Sequence, residues 1–558
     1  MIEDLLQDLT FGKVVIYLVG AWFVYFWIKA FLVAREIRSL GGRAPKVSFY
    51  LPFGFDFVYR AIKASKVNGD LQFWGGVLQE CGTKDNPNPM TVEVNSGASM
   101  RTIFTADPEN IKAVLTTQFN DYGKGESFHR EWKEFLGDSI FATDGELWSR
   151  SRQLIRPMFV RERIVDTEMF EKHAVKLISL LGGNGNTTPK NHPGGSRVVD
   201  VSPLFFRYTM DAATDHLLGK GVGSLDNPTT RFAEAFRYVL DRQALIFRAG
   251  PFSRFVPRTV FRQELKAMND FLQPFILHVL SLSDEELDKQ LAKKDTFLDA
   301  LARFTRDPQV LRDQLVAILL AGRDTTAATL SYCFFELSRN PEVVRKLRAE
   351  IVSHLSTNKA TDSDQPNTST RSTRKPTYID LKEMKYLTAV INETMRIYPV
   401  VPFNVRHSLK PTTLPRGGGP DGRDPIGIRA DTRIVYSTMY MQRRPDLYPP
   451  PPNPLSPTSE KQGSVPYFDP SKFIPERWLS SWSPKPWQFI PFNGGPRICI
   501  GQQFAMVEMG YTIVRILQEY ERVVAADGGV EEPTLKFDVT LSPGMEFNCV
   551  FVKEGEEK

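Results

Sequence analysis

From Val14 to Ile28 fifteen consecutive residues carry no charge, and counting through Lys29 the apolar run reaches Val33, twenty residues in all. As a helix that length crosses roughly 30 Å of hydrocarbon, and a lysine near its end can extend its charged head to the interface. Glu3, Asp4 and Asp8 precede the run, whereas Arg35, Arg38, Arg43 and Lys46 follow it. That asymmetry predicts a cytosolic location for everything downstream. The acidic lead-in, with no small-residue cleavage pattern after the run, argues against a removed signal peptide. The bland alternative, a buried core helix, fits poorly with an extreme terminus so rich in Trp, Tyr and Phe. Ala44-Pro45 through Leu51-Pro52-Phe53-Gly54 reads as a stiff connection. The expected division is an anchor over residues 1–34, a linker over 35–54 and a body over 55–558.

Along the body, helical patterns dominate. Leu311 to Asn340 is strongly apolar, and Asn340-Pro341-Glu342 offers a cap, a proline at the first helical position and an early acid for a helix from Pro341 to about His354. Thr377 and Asp380 have the spacing of a capping box, opening a helix that should stop near Tyr398, just before Pro399. A further helical pattern runs from Gly501 to Tyr520, and Met90 to Asn95 and Arg433 to Met439 read as strands. Gly182 to Ser196, Ser356 to Pro376 and Pro449 to Pro466 lack periodicity and are rich in Gly, Pro, Ser, Thr, Asn and Asp, so they read as exposed loops. The predicted class is mainly α with a small β-sheet region, and without internal repeats it is one large unit.

Charge and cysteine usage narrow the function. A formal net charge of +5 over 558 residues, with dispersed basic residues, excludes a nucleic-acid partner. Four cysteines without close pairing, Cys81, Cys333, Cys499 and Cys549, exclude a disulfide framework or structural zinc site and point to a reducing compartment.

Three of those cysteines read as small buried hydrophobes. Cys499 does not. It lies in Phe492-Asn493-Gly494-Gly495-Pro496-Arg497-Ile498-Cys499-Ile500-Gly501, a glycine-rich loop directly before a helix. Backbone N–H groups at the helix start and the nearby Arg497 favour a thiolate there, and the small Gly495, Gly501 and Ala505 let the loop approach a flat cofactor. In the apolar Leu311–Asn340 pattern, Ala321-Gly322-Arg323-Asp324-Thr325-Thr326 is a polar cluster that needs partners, either as a structural node or as a reaction site.

At this loop the chain resembles the cytochrome P-450 superfamily, whose signature of Phe, two any, Gly, any, Arg, any, Cys, any, Gly is matched by Phe492, Gly495, Arg497, Cys499 and Gly501. The resemblance implies a cytochrome P-450 fold preceded by one transmembrane helix, with 55–558 as a haem-thiolate monooxygenase domain. It implies haem b bound without a covalent ester, since Ala321 stands where some relatives carry the esterifying glutamate, and Cys499 as the metal ligand. Glu393 and Arg396 match the Glu-x-x-Arg motif, and Arg477 completes a buried structural cluster. Trp148, Arg152, Arg406 and Arg497 would contact the haem propionates, and Phe492 would line the cofactor site. Gly322 would leave room for dioxygen, Thr325 would hydrogen-bond it, and Asp324 would relay protons.

Leu204 to Asp211, Thr412 to Gly419 and Asn493 to Ala505 look like fungal n-alkane and fatty-acid hydroxylases of the superfamily. Gln442-Arg443, where those relatives have His-Arg, and the long Pro-rich insertion from Pro449 depart from them. The pocket candidates are Phe128, Ile318, Leu319, Val400 to Phe403 and Leu541 to Met545. The implied partners are an NADPH-dependent flavoprotein reductase, cytochrome b5, dioxygen, a membrane and a lipophilic substrate, with the protein as a single-pass resident of the endoplasmic reticulum. The alternatives are a monooxygenase of fungal secondary metabolism acting on another hydrophobic substrate, a haem-thiolate isomerase or dehydratase, and a haem sensor.

Overall fold

The computed structural model describes residues 11–51, 54–96, 100–159, 167–182, 190–191, 197–293, 296–356, 373–451, 466–526 and 528–555. The acidic Glu3, Asp4 and Asp8 lie outside the described residues, as does most of the three expected loops. Within the first loop, Lys190–Asn191 is described and pairs antiparallel with the strand Arg197–Asp200. The chain forms two compact units, Met1–Val58 with Gly76–Gly123 and Val405–Tyr436, and Tyr59–Gly75 with Lys124–Asn404 and Ser437–Lys558.

The first unit begins with helix α1 (Phe11–Leu40), whose apolar stretch is wholly uncovered by the protein. Its sheet contains β1 (Thr91–Ser96), β2 (Met100–Thr105), β3 (Tyr122–Gly123), β4 (Phe403–Ser408) and β7 (Arg433–Ser437), in the order β1-β2-β7-β4-β3. β5 (Thr412–Gly418) and β6 (Asp424–Ile428) form a separate hairpin. Val92 faces Phe104 across an antiparallel pair, and Ile103 faces Ile434 across a parallel one. These β-branched and aromatic residues are buried, as strand preference requires.

The segment after α1 is not the stiff free connection that its prolines suggest. Gly42 N donates to Pro425 O at 2.9 Å, Gly427 N donates to Gly42 O at 3.0 Å, and Val47 N donates to Glu93 O at 3.0 Å, so it lies along strands as an added edge. Arg43 also reaches inward, pairing at 2.7 Å with the buried Glu93, which Arg101 holds from the other side at 2.9 Å.

In the second unit the helices used below are α2 (Gly125–Leu136), α3 (Gly145–Ile155), α4 (Val201–Leu218), α5 (Arg231–Ala249), α6 (Pro308–Leu337), α7 (Pro341–Leu355), α8 (Lys385–Ile397) and α9 (Gln502–Glu519). α6 is the core element, packed against α2, α4, α8 and α9. It starts three residues before the apolar pattern, because Asp307 accepts from Gln309 N and Val310 N with Pro308 at the first position. Next to it, Asn340 does not cap α7 with its side chain, which instead donates to Glu336 O at 2.8 Å. The capping box at Thr377 and Asp380 is present, but the helix it opens, Tyr378–Glu383, is short. Met384 breaks it, and α8 starts anew where Glu350 of α7 accepts from Tyr386 N at 2.8 Å and Leu387 N at 2.9 Å. On α4, Asp211 accepts from Ser224 N and Leu225 N while Arg207 donates to the two carbonyls of the same residues, so this polar pair clamps a loop.

Candidate functional site

The cysteine loop is shaped by its glycines. Asn493 and Gly495 have φ of 64° and 66°, a left-handed conformation that asparagine and glycine adopt most readily. At Gly494 a Cβ would lie 2.5 Å from the Trp487 ring, so a side chain there would collide. A single turn, Gly495–Arg497, follows, and Cys499 N donates to Phe492 O at 2.9 Å, closing the loop three residues before α9.

Cys499 is exposed, unlike Cys81, Cys333 and Cys549, which are buried as expected. Its surroundings are nonetheless dense, so the thiol sits at the wall of a recess. Burial pushes its pKa up, while the Gly501 N–H and the Arg152 charge pull it down. Arg152 is a cation that acts on the sulfur. Arg152 donates to Ile498 O at 3.1 Å, next to the cysteine. Arg497 donates to Asp144 Oδ1 at 2.6 Å and Thr143 O at 2.9 Å, and its guanidinium lies 4.6 Å from the Trp148 ring centroid. Asp144 is held in turn by Lys124 N and Gly125 N, which fixes the start of α3 and with it Trp148 and Arg152. Asp144 was not singled out from sequence; an acid directly before a glycine at a helix start was the available signal.

From Asp313 to Ser338 every residue is buried except Ala321, Gly322 and Thr325. These three share one side of α6, and a core helix is open there only where the surrounding protein leaves a hollow. A Cβ on Gly322 would meet nothing nearer than Ala213 at 3.9 Å. Thr325 Oγ1 donates to Ala321 O at 2.7 Å, which spends the hydroxyl proton and leaves the oxygen free to accept. Asp324 is buried and receives Arg323 Nη1 at 2.8 Å. Burial pushes its carboxyl above the usual range, Arg323 pulls it back, and Asp241 and Asp538 add to the rise.

Glu393, Arg396 and Arg477 meet. Both carboxylate oxygens of Glu393 accept from Arg396 at 2.8 Å, and Arg477 Nε donates to Oε1 at 2.9 Å. Trp478 Nε1 and Ile474 N complete its shell at 2.9 Å each. The arginines spend their remaining donors on Asp469, Pro470 and Lys472 carbonyls, so the cluster stitches the segment before the cysteine loop to α8. Gln442, the departure from the His-Arg pattern, is fully buried and does comparable work. Its amide nitrogen donates to Met395 O and Arg396 O, and its oxygen accepts from Ile490 N at 3.1 Å.

Arg406 lies in the other unit, on β4, where it is buried, bonds Val405 O at 2.8 Å and faces Tyr436. Glu508 was not foreseen. It is buried on α9, beside a hydrogen bond from Thr326, and desolvation raises its carboxyl to about 8. A lone acid inside the apolar Met506 to Val514 stretch was the signal.

The residues present fit a haem. A soft sulfur donor stands exposed in a glycine loop, a cation and an N–H group partly offset the burial that opposes its charged form, Trp148 stacks on Arg497 of that loop, and the central helix is open at one polar stretch.

The cytochrome P450 family model matches residues 94–456 and 465–547. The chain is 46% identical over 521 residues to the cytochrome P450 monooxygenase pvhE of Talaromyces variabilis, covering 91% of this chain and 90% of that protein. It is 39% identical over 454 residues to cytochrome P450 52A1 of Candida tropicalis, covering 79% and 76%. With cytochrome P450 52A13 of Debaryomyces hansenii it shares 34% over 538 residues, 94% of each chain.

Proposed function

Since this chain belongs to the cytochrome P450 family and is a haem-dependent monooxygenase, we propose that it binds haem b through the Cys499 thiolate and hydroxylates a long-chain alkane or fatty acid. The observation that carries the reading is the open Cys499 thiol in its glycine loop, with Arg152 bonded to the neighbouring Ile498 carbonyl. The cofactor supplies electron-rich iron for oxygen activation when bound. Trp148, Arg152, Arg406 and Arg497 are its proposed propionate partners, with Phe492 lining the site.

Asp324 and Thr325 are the proposed catalytic pair. Asp324 is held by Arg323 at the edge of the hollow, with a raised affinity for protons, and can pass a proton inward and regain one. Thr325, its own proton engaged by Ala321, presents an oxygen that accepts a hydrogen bond and orients the proton's destination. Glu393, Arg396 and Arg477 hold the framework. An anchor over 1–34, a linker over 35–54 that docks along strands of the first unit, and a monooxygenase domain over 55–558 complete the proposal. α1 spans the endoplasmic reticulum membrane once, and an NADPH-dependent flavoprotein reductase, with cytochrome b5, supplies electrons from the cytosol.

The substrate class rests on the resemblance of Leu204 to Asp211, Thr412 to Gly419 and Asn493 to Ala505 to fungal n-alkane and fatty-acid hydroxylases. The apolar Phe128, Ile318, Val400, Phe403 and Leu541 agree with it. Gln442-Arg443 and the long Pro-rich insertion from Pro449, where the chain departs from those hydroxylases, favour a second reading, another hydrophobic substrate of fungal secondary metabolism. Spectra test both. Cys499→Ser should lose the strongly red-shifted Soret band of the ferrous carbon monoxide complex, and that band surviving would remove Cys499 as ligand. In the wild type, a spin-state shift on adding alkanes or fatty acids supports the first reading, and a response confined to sterols or other ring systems supports the second.

A further inference from the structure

The hairpin β8 (Leu535–Phe537) to β9 (Leu541–Pro543) is a sheet of its own, with two strands and three residue pairs. A two-stranded hairpin is marginal without support from its surroundings, so what holds it matters. On one side it is apolar. Leu541 N donates to Val400 O at 2.9 Å, Phe537 lies 5.2 Å from Phe403 between ring centroids, and Val539 at the turn packs on the core that includes Phe128 and Trp132. β9 also packs against α6.

On the other side it is held by charge. Arg248, in the last turn of α5, donates to Phe537 O, to Asp538 Oδ1 at 2.9 Å and to Ser65 Oγ at 3.2 Å. Lys536 pairs with Asp538 at 2.6 Å and with Asp241 of α5 at 3.8 Å. Asp70, beside Ser65, adds a third carboxylate within the field of Arg248 and Asp538. Three carboxylates thus lie in the field of Arg248 and Lys536, with Arg237 and Arg323 also acting on Asp241, and all four members of the paired set are at least a fifth exposed. Ion pairs so placed are individually weak and readily exchanged for water.

We propose that this cluster is a latch: Arg248 and Lys536 close the hairpin Leu535–Pro543 onto α5, and substrate enters the hollow beside α6 by parting the two. The hairpin covers Val400 and Phe403, and the ion pairs of Arg248 and Lys536 form a polar seam between it and α5. The hairpin that carries one side of the seam packs against α6 through β9, and the charges of Asp538 and Asp241 reach Asp324. The inference rests on the proposed oxygenation site beside Thr325.

The experiment measures the binding rate of N-dodecylimidazole, a long chain whose nitrogen shifts the Soret band, to the ferric full-length protein by stopped flow. Asp538→Asn and Arg248→Met should each raise both the association and dissociation rates roughly three- to tenfold, the range that weak ion pairs can hold back, with the equilibrium constant changed far less. The exchange Arg248→Asp with Asp538→Arg should return both rates toward wild type. Rates unchanged in the single variants, or a change in dissociation alone, which would mean direct contact with the ligand, would overturn the latch. Hydrogen exchange of the 535–543 amides gives a readout independent of haem: faster in the single variants, slow again in the exchange, and equal in all if no latch exists. A wild type without any Soret shift would instead count against the proposed haem site.

Discussion

Glu508 is the residue whose burial has the clearest consequence for pH. Its carboxyl loses hydration on α9, and the bond from Thr326 recovers only part of the loss, so in the folded protein it keeps its proton to about 8 against 4.5. Between those values the unfolded chain has released the proton and the folded one has not. Stability therefore falls as pH rises from about 4.5 to about 8, by at most about 1.4 kcal/mol per unit, and levels off above. Glu508→Gln keeps the shape and removes the titration, so denaturant unfolding at pH 5.5 and 7.5 should show a smaller loss in the variant. Parallel losses would place the proton elsewhere. Single residues were legible where the signal was local. Cys499 and the Glu393 and Arg396 pair announce themselves within ten residues. Asp144, Gln442 and Glu508 do not, because their meaning comes from Arg497, Ile490 and Thr326, far away in sequence.

Elements were legible in the same measure. The capping box at Thr377 was readable because both members lie within four residues. The break at Met384 was not, because the group that starts α8 is Glu350 of another helix, reaching the free N–H groups of Tyr386 and Leu387. That contact can be measured. Glu350→Ala should cost about 1–2 kcal/mol, as for a lost N-terminal cap, and Glu350→Gln, which keeps an acceptor, should cost less. Equal stability of all three proteins in denaturant would show that water serves the α8 N-terminus as well. The segment after α1 misled for the opposite reason. Its prolines describe local stiffness, whereas its backbone groups find partners on Pro425, Gly427 and Glu93.

At the scale of the molecule, the proposed membrane span and a docked edge of the first unit share one rod, α1. Its 30 residues are about 45 Å long, more than the roughly 30 Å of hydrocarbon. The excess is folded protein: Ile37 is fully buried, and Glu36 pairs with Arg429 at 2.6 Å. Removing residues 1–34 should release the protein from membranes and leave its melting temperature near that of the full chain. Extending the deletion through Leu40 should cost a further 2–3 kcal/mol, roughly one buried aliphatic side chain, visible in thermal unfolding. Two truncations of equal stability would mean that the last turns contribute nothing.

The docking of those turns onto β6 has a mechanical side as well. A transmembrane helix on a loose tether meets a thicker or thinner bilayer by changing its tilt, with no effect on the domain it carries. Here the helix enters the first unit without a hinge, clasped at Gly42 by Pro425 and Gly427. Whatever inclination the bilayer imposes on α1, the sheet must share. With α1 as the proposed span, lipid thickness would become a control on how steeply that sheet stands to the membrane plane.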